Sequence, residues 1–141
     1  CYAQQLKPDV VIDIATLTGA CMVALGSVAS GIMGNNDDLV KKLIKCGKES
    51  GERHWQMPMY PEYFESLKSD IADMKNSGAR GGGTTTAALF LKNFVQDETP
   101  WAHIDIAGTA FLDKPVLENP KGATGVGIRT LLNYIVNDKS E

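Results

Sequence analysis

The stretch VVIDIATLTG at residues 10–19 determines the fold class. Its first six residues, 10–15, are mostly β-branched or apolar, and they follow a break at Pro8, because proline disfavours helix at the residue before it. Such a run predicts a strand that is buried on both faces, as strands of parallel sheets are. Residues 16–19 then lie at the carboxyl end of that strand. Ligands bind at this end in open α/β sheets, so residues 16–19 are a candidate site.

The elements after this strand alternate between helix and strand patterns. Residues 20–25 predict a short helix and residues 29–33 predict a second strand. Residues 37–50 place apolar side chains at helical spacing with lysines on the opposite side, which predicts an amphipathic helix. Asn36 or Asp37 is a suitable N-cap for that helix.

The middle of the chain has weaker patterns. Residues 55–59 predict an extended linker. Residues 61–67 predict a helix with proline in its first turn. Residues 70–74 predict a short strand or an extended segment, and the glycine-rich residues 76–83 are expected to be the most flexible part of the chain.

A helix, a strand and a second helix are predicted after the glycine-rich stretch. The apolar face of the first helix is predicted to comprise Ala87, Ala88, Leu91, Phe94 and Val95. Residues 101–108 alternate apolar and polar side chains and predict a strand, and residues 112–123 predict a loop. Thr124 is a candidate cap for the last helix. The apolar face of that helix is predicted to comprise Ile128, Leu131, Leu132, Ile135 and Val136. This order of strands and helices is typical of an α/β fold.

The composition is that of an ordinary globular protein. The chain has 141 residues, 43% of them hydrophobic and 22% charged, with a formal net charge of -3, which fits one domain or one large piece of a domain. No stretch concentrates Lys and Arg as nucleic-acid binding requires, and no apolar run approaches the length of a transmembrane helix. The three cysteines are odd in number and widely spaced, which favours reduced thiols in a cytosolic protein.

The glycine run is a candidate anion site. Residues 81–85, GGGTT, precede a helix, and the exposed N–H groups of a helix start can hold an anion. A P-loop requires Gly-Lys-Ser/Thr at its end, and no lysine follows these glycines. The run therefore favours a tight loop where backbones pack closely, with Thr84 capping the helix.

Hydrolytic and metal chemistry have little support from residue spacing. No serine lies in a G-x-S-x-G motif, and His103 lies within a predicted strand, which favours a packed wall residue over a general base. No H-E-x-x-H or D-x-D grouping brings metal ligands together. Asp105 lies near the carboxyl end of a strand and could reach a pocket. A buried carboxylate that accepts hydrogen bonds is the favoured interpretation of this residue.

Five segments resemble motifs of the leucine (cytosol) aminopeptidase family, in the order in which that family has them. They are DIATLTGA at residues 13–20, SGERHWQMP at residues 50–58, ADMKN at residues 72–76, WAHIDIAGTA at residues 101–110 and KGATG at residues 121–125. The resemblance extends over essentially the whole chain. It implies a three-layer α/β/α domain with a mixed, mainly parallel central sheet, of which residues 1–141 are the C-terminal portion.

The resemblance also implies a reaction and its cofactors. Enzymes of this family remove N-terminal amino acids, often leucine, with two divalent metal ions (manganese or zinc) that activate a water, and with a bicarbonate that shuttles protons. Their metal ligands and catalytic Lys and Arg precede the position that matches Cys1. The chain is therefore expected to have no catalytic and no metal-binding residues of its own, to bind no metal alone and to be inactive alone. Its first residues, CYAQQL, are similar to the last turns of a helix, which also predicts a fragment.

What the resemblance assigns to this chain is substrate binding. It implies that Thr16, Leu17 and Gly19 supply backbone groups to the substrate. It further implies that Thr16, Gly19, Ala107 and Ala110 line the pocket for the first side chain of the peptide. Small residues at these positions leave room for a group of the size of leucine.

The expected partners follow from the same resemblance. They are peptide substrates and further copies of the protein, because members of the family are hexamers, and the expected location is the cytoplasm. An alternative is a non-enzymatic binding or assembly module that kept the fold. A natural start codon directly at Cys1, with no metal-binding motif encoded before it, would favour that alternative.

Overall fold

A computed structural model describes residues 1–116 and 120–138 of the chain. Its main sheet has four strands, β1 (Val11–Ala15), β2 (Ser30–Gly34), β3 (His54–Gln56) and β4 (Trp101–Asp105). The strand order is β1-β4-β2-β3. The pairs β1–β4 and β2–β3 are parallel, and the pair β2–β4 is antiparallel. The predicted α/β class and the mixed, mainly parallel sheet are both confirmed.

Helices cover both faces of this sheet. They are α1 (Gly19–Leu25), α2 (Asp37–Ser50), α3 (Gly83–Lys92) and α4 (Ile128–Asp138), with 3-10 helices at Ala3–Leu6 and Pro61–Leu67. One apolar cluster joins α2 and α4 to the side chains of Ile32 and Ile104. A second cluster joins α3 to Met33 and Trp101, which point to the opposite face because side chains alternate along a strand. The result is the three-layer arrangement that was expected.

Several predicted elements are confirmed almost to the residue. The amphipathic helix occupies the predicted residues 37–50, and the side chain of Asn36 caps it by accepting a hydrogen bond from the Leu39 amide at 2.9 Å. The short helix after β1 and the second strand also form, as α1 and β2. Residues 61–67 are helical, although the helix is of the 3-10 type. The glycine-rich stretch is followed by α3 as predicted.

The strand predictions need four corrections. The strand at residues 11–15 is half-buried rather than buried on both faces, because it lies at the sheet edge with β4 as its one partner in the described chain. Residues 54–56, assigned mostly to a linker, pair with β2 as β3. Residues 70–74 form bends and no strand. The strand predicted at residues 101–108 ends at Asp105, and all five of its residues are buried.

The loop predicted at residues 112–123 contains regular structure at both ends. Two short strands, β5 (Phe111–Leu112) and β6 (Gly122–Ala123), pair antiparallel beyond the sheet. Residues 117–119 of that predicted loop lie outside the described residues.

The predicted faces of the last two helices are also partly wrong. In α3 the buried residues include Leu89 and three threonines, whereas Phe94 lies beyond the helix and is 44% exposed. In α4 the residues that pack inward are Thr130, Tyr134 and, from the predicted face, Leu131. Four residues of the predicted apolar face of α4 are instead exposed, namely Ile128, Leu132, Ile135 and Val136. Helical spacing identifies an apolar face but does not show which neighbour covers it.

Neither predicted threonine cap forms. Thr124 lies four residues before α4, and its hydroxyl donates to the Thr109 carbonyl at 2.7 Å instead. Gly82, not Thr84, precedes α3, and it has a left-handed backbone with φ of 68°. The side chains of both threonines therefore form hydrogen bonds to distant parts of the chain and do not cap a helix.

One buried carboxylate fixes α4 to the rest of the fold. Glu52 is 4% exposed, and its Oε2 accepts hydrogen bonds from the Thr130 amide at 2.8 Å and the Thr130 hydroxyl at 2.6 Å. Because that hydroxyl gives its only proton to Glu52, it accepts from Nε2 of His54 at 2.7 Å. Nε2 of His54 therefore carries a proton. Its buried Nδ1 has no hydrogen-bond partner among the described residues.

The pKa values of both groups reflect this arrangement. Burial alone would raise the pKa of the Glu52 carboxyl, but hydrogen bonds from Thr130, Arg129 and the Gly127 amide together hold that pKa below its usual value. Burial lowers the pKa of His54, and the attraction of the nearby Glu52 charge offsets only part of this effect.

Acidification is expected to lower the free energy of unfolding in two steps. The pKa of folded His54 lies below the unfolded value of about 6.5, so the unfolded chain binds more protons and stability falls as the pH drops below that value. The pKa of folded Glu52 lies below the unfolded value of about 4.3, so its contribution is lost at still lower pH. Urea denaturation across this pH range measures both steps.

Substitutions separate the two steps. His54→Gln should reduce the first step. Glu52→Gln should reduce the second step and enlarge the first, because the Glu52 charge partly offsets the lowered pKa of His54. Glu98→Gln, at an exposed position, should change neither. A free energy of unfolding that stays constant from about pH 7.5 to about pH 5 would contradict the assignment of His54.

Candidate functional site

The candidate site lies where two parallel strands end side by side. Ala15 and Asp105 are partners at the ends of β1 and β4, and the Ile106 amide continues the ladder by donating to the Ala15 carbonyl at 2.9 Å. The chain leaves β1 through residues 16–18 and leaves β4 through residues 106–110. The predicted ligand edge of the sheet is therefore formed by these two segments.

Asp105 connects the two segments. It is fully buried, and its Oδ1 accepts hydrogen bonds from the Leu17 amide at 3.2 Å and from the Ala107 amide at 3.1 Å. Its Oδ2 accepts from the Thr18 hydroxyl at 2.6 Å. Burial of a carboxylate is costly unless it is hydrogen-bonded, and here three donors compensate for the lost water. The interpretation of Asp105 as a buried acceptor is confirmed.

Thr18 extends this network to two helices. Its hydroxyl oxygen accepts from the Cys21 amide at 3.0 Å and so caps the N-terminus of α1. The Thr84 hydroxyl lies 3.3 Å away, and it is the donor in this pair because the proton of Thr18 is given to Asp105. Thr18 lies within the predicted candidate segment 16–19, although its capping role was not predicted, and Thr84 was predicted only as a helix cap. The Thr-Gly pair before an apolar helix was the available signal for Thr18.

The segment after β4 is held by close backbone packing. The Ala110 amide donates to the Ile106 carbonyl at 2.9 Å, and the Ala110 carbonyl accepts from the Thr124 amide at 3.0 Å. Gly108 is buried, and a Cβ atom at this position would overlap the carbonyl oxygen of Gly26. Glycine is therefore required here by the approach of another backbone.

A cavity of about 410 Å³ opens beside the first segment. Leu17 and Thr18 line it on one side, residues 76–79 of the glycine-rich stretch on another, and Ala87 and Phe90 of α3 on a third. The glycine-rich stretch thus forms a wall of this cavity. Of the five predicted substrate-binding residues, Leu17 alone is among the lining residues.

The other predicted site residues lie close in the chain to this network. Thr16 and Gly19 are exposed on the loop that leads from β1 into α1, whereas Ala107 and Ala110 are half-buried. Asp105 ties Leu17 to Ala107 directly. The structure gives no hydrogen bond that brings Ala110 to the β1 loop.

The titratable groups near this edge have structural partners. Burial, together with the charge of Asp105, raises the pKa of the Cys21 thiol, so this cysteine stays protonated and is a poor nucleophile. Asp13 accepts from the Trp101 indole at 2.6 Å and pairs with His103 on the neighbouring strand. His103 is fully buried, as its interpretation as a wall residue requires. Within residues 1–116 and 120–138, no group of three or more His, Cys, Asp or Glu side chains could hold a metal ion.

Gly108→Ala is expected to lower the free energy of unfolding by about 1–3 kcal/mol, because the new methyl group must displace either the segment after β4 or the turn at Gly26. Urea denaturation gives this difference. The matched control is Gly81→Ala, where a methyl group meets no atom within 4 Å, and its effect should stay within about 0.5 kcal/mol. Equal effects of the two substitutions would contradict the close packing at Gly108.

Comparison with known families and proteins gives one consistent match. Residues 1–132 match the model of the cytosol aminopeptidase family, catalytic domain. A probable cytosol aminopeptidase of Geobacter sp. strain M21 is 59% identical over 134 residues, which are 95% of this chain and 27% of that relative. A probable cytosol aminopeptidase of Prochlorococcus marinus strain AS9601 is 56% identical over 136 residues, which are 96% of this chain and 28% of that relative.

A solved structure supports the same match. The structure of a tomato leucine aminopeptidase mutant aligns with a TM-score of 0.90 and 44% sequence identity, over 96% of this chain and 26% of that chain. The chain therefore spans only about a quarter of the length of the relatives that it matches.

Proposed function

Because the chain belongs to the cytosol aminopeptidase family, we propose that it is the C-terminal portion of the catalytic domain of a metal-dependent aminopeptidase. The complete enzyme would release N-terminal amino acids from peptides, with leucine preferred. Support comes from the match of the family model to residues 1–132, and from the share of the relatives that this chain covers.

The observation that carries this proposal is the pair of segments joined at the ends of β1 and β4. In this proposal Thr16, Leu17 and Gly19 present backbone groups to the substrate, and Thr16, Gly19, Ala107 and Ala110 line the pocket for its first side chain. The Leu17 amide is engaged by Asp105, so its carbonyl is the backbone group that Leu17 can offer. The exposure of Thr16 and Gly19 agrees with a role in contacting a ligand.

The residues that the structure describes do not fit a two-metal site. The buried carboxylates of Asp105 and Glu52 and the half-buried carboxylate of Asp13 all accept hydrogen bonds from protein groups, and no suitable ligand cluster exists in the described part of the chain. The two divalent ions (manganese or zinc) and the bicarbonate that we propose for the complete enzyme would therefore be bound by residues outside this chain. The role of this chain is then to bind and orient the peptide.

Partners and location are proposed on the same basis. The substrates are peptides, and the location is the cytoplasm, in agreement with the names of the relatives. The complete enzyme is a homo-oligomer, a hexamer by resemblance to its family.

The outer edge of β1 would pair with the rest of the catalytic domain, and the exposed apolar residues of α4, such as Leu132 and Ile135, would be covered in the assembly. No helix in the described chain is long and apolar enough to cross a membrane.

The 141-residue chain with added manganese is expected not to hydrolyse leucine amide. The carboxylates of Asp105, Glu52 and Asp13 are engaged in structural hydrogen bonds, and the described residues contain no group of ligands for a metal ion. Ammonia release measured with a homogeneous sample tests this, with the Geobacter relative assayed under the same conditions as the positive control. If the chain alone hydrolyses leucine amide and a chelator abolishes this hydrolysis, the proposal that the metal ligands lie outside the chain is wrong.

A further inference from the structure

One oxygen atom of Asp105 accepts hydrogen bonds from both segments of the candidate site. Oδ1 receives the amide of Leu17 at 3.2 Å and the amide of Ala107 at 3.1 Å. The two amide nitrogens therefore cannot move apart without the loss of at least one of these bonds. The carboxylate itself cannot rotate freely, because Thr18 donates to Oδ2 at 2.6 Å.

The position of this carboxylate is fixed by the sheet. Asp105 pairs with Ala15 on one side and with Gly31 on the other, so its backbone lies between two strands. The side chain is fully buried, and therefore no water competes for its oxygens. A rigid strand end thus sets the spacing of two loops that are themselves more exposed.

We infer that Asp105 is a positioning residue that sets the distance between residues 16–19 and residues 107–110, and that it thereby determines which first side chain of a peptide fits between them. This inference rests on the proposed function, because it assigns the two segments to the substrate pocket. Asp105 does not touch the substrate. It acts through the backbone of Leu17 and Ala107, and its charge strengthens both hydrogen bonds.

A second carboxylate provides a matched control. Asp13 lies on the neighbouring strand and accepts from Trp101 and His103, but no hydrogen bond joins it to either segment of the site in the described structure. Asp13→Asn should lower stability without a change in the spacing of the segments. A purely structural role of Asp105 would make the two positions behave alike.

The first test measures hydrogen exchange of single amides in the 141-residue chain by NMR. In Asp105→Ala the amides of Leu17 and Ala107 should exchange about tenfold faster or more, because both lose a charge-assisted acceptor. The amide of Ile106, which donates to Ala15, serves as the reference for opening of the sheet. Asp105→Asn keeps an oxygen for both amides and should restore most of the protection.

The outcomes of this test are distinct. Equal acceleration at Leu17, Ala107 and Ile106 would show general destabilisation and would overturn the inference. If Asp105→Ala does not fold, Thr18→Val frees the carboxylate to rotate and should accelerate Leu17 and Ala107 but not Ile106. Unchanged exchange at Leu17 and Ala107 in a folded Thr18→Val chain would equally overturn the inference.

The second test measures selectivity in the longer aminopeptidase that carries this segment. The ratio of kcat/KM for leucyl over alanyl substrates should fall about tenfold in Asp105→Ala, which is within the range that an apolar pocket provides. It should recover largely in Asp105→Asn and stay unchanged in Asp13→Asn. A lower kcat for both substrates at a constant ratio would contradict a role in specificity. If the unsubstituted enzyme cleaves neither substrate, the proposed function is wrong. The hydrogen-exchange pattern alone then tests whether Asp105 holds the two segments at a fixed distance.

Discussion

The buried carboxylate of Asp105 is the interaction on which the candidate site depends. A charged group with no exposure to solvent is tolerated only when its oxygens are hydrogen-bonded, and here the donors come from both loops at the sheet edge. The same carboxylate binds Thr18, which caps α1 and contacts Thr84 of α3. Asp105, together with Thr18, thus connects the two loops, the helices α1 and α3 and the strands β1 and β4. Removal of this side chain would leave three donors without a partner.

The sequence predicts the central elements well because their signals are local. The apolar run at residues 10–15 and the helical spacing at residues 37–50 identify β1 and α2 without reference to the rest of the fold. The position of residues 16–19 at a strand end is likewise a local property, and the structure has this segment at the edge where β1 and β4 end. That Asp105 is a buried acceptor was also expected, because buried polar groups are nearly always hydrogen-bonded.

The predictions that were wrong concern contacts between elements, which a local sequence pattern does not show. β3 has three residues and forms only because β2 lies beside it, so a local pattern could not identify it. The face of α4 was partly misassigned because one of its inward contacts is polar: Thr130 packs inward to reach Glu52, while Leu132 and Ile135 stay exposed. The half-buried β1 has the composition of a strand with two neighbours. Both observations agree with the proposal that a longer polypeptide covers these surfaces, since the chain spans 27% of a relative of 59% identity.

We propose that this chain supplies the substrate side of an aminopeptidase whose metal ligands lie in another part of the protein. A complementation experiment tests this proposal. The Geobacter relative would be shortened by the residues that match this chain, mixed with the 141-residue chain and manganese, and assayed for release of leucine from a peptide. We expect chelator-sensitive hydrolysis by the mixture and none by either part alone. A stable complex of the two parts that hydrolyses no peptide would contradict it.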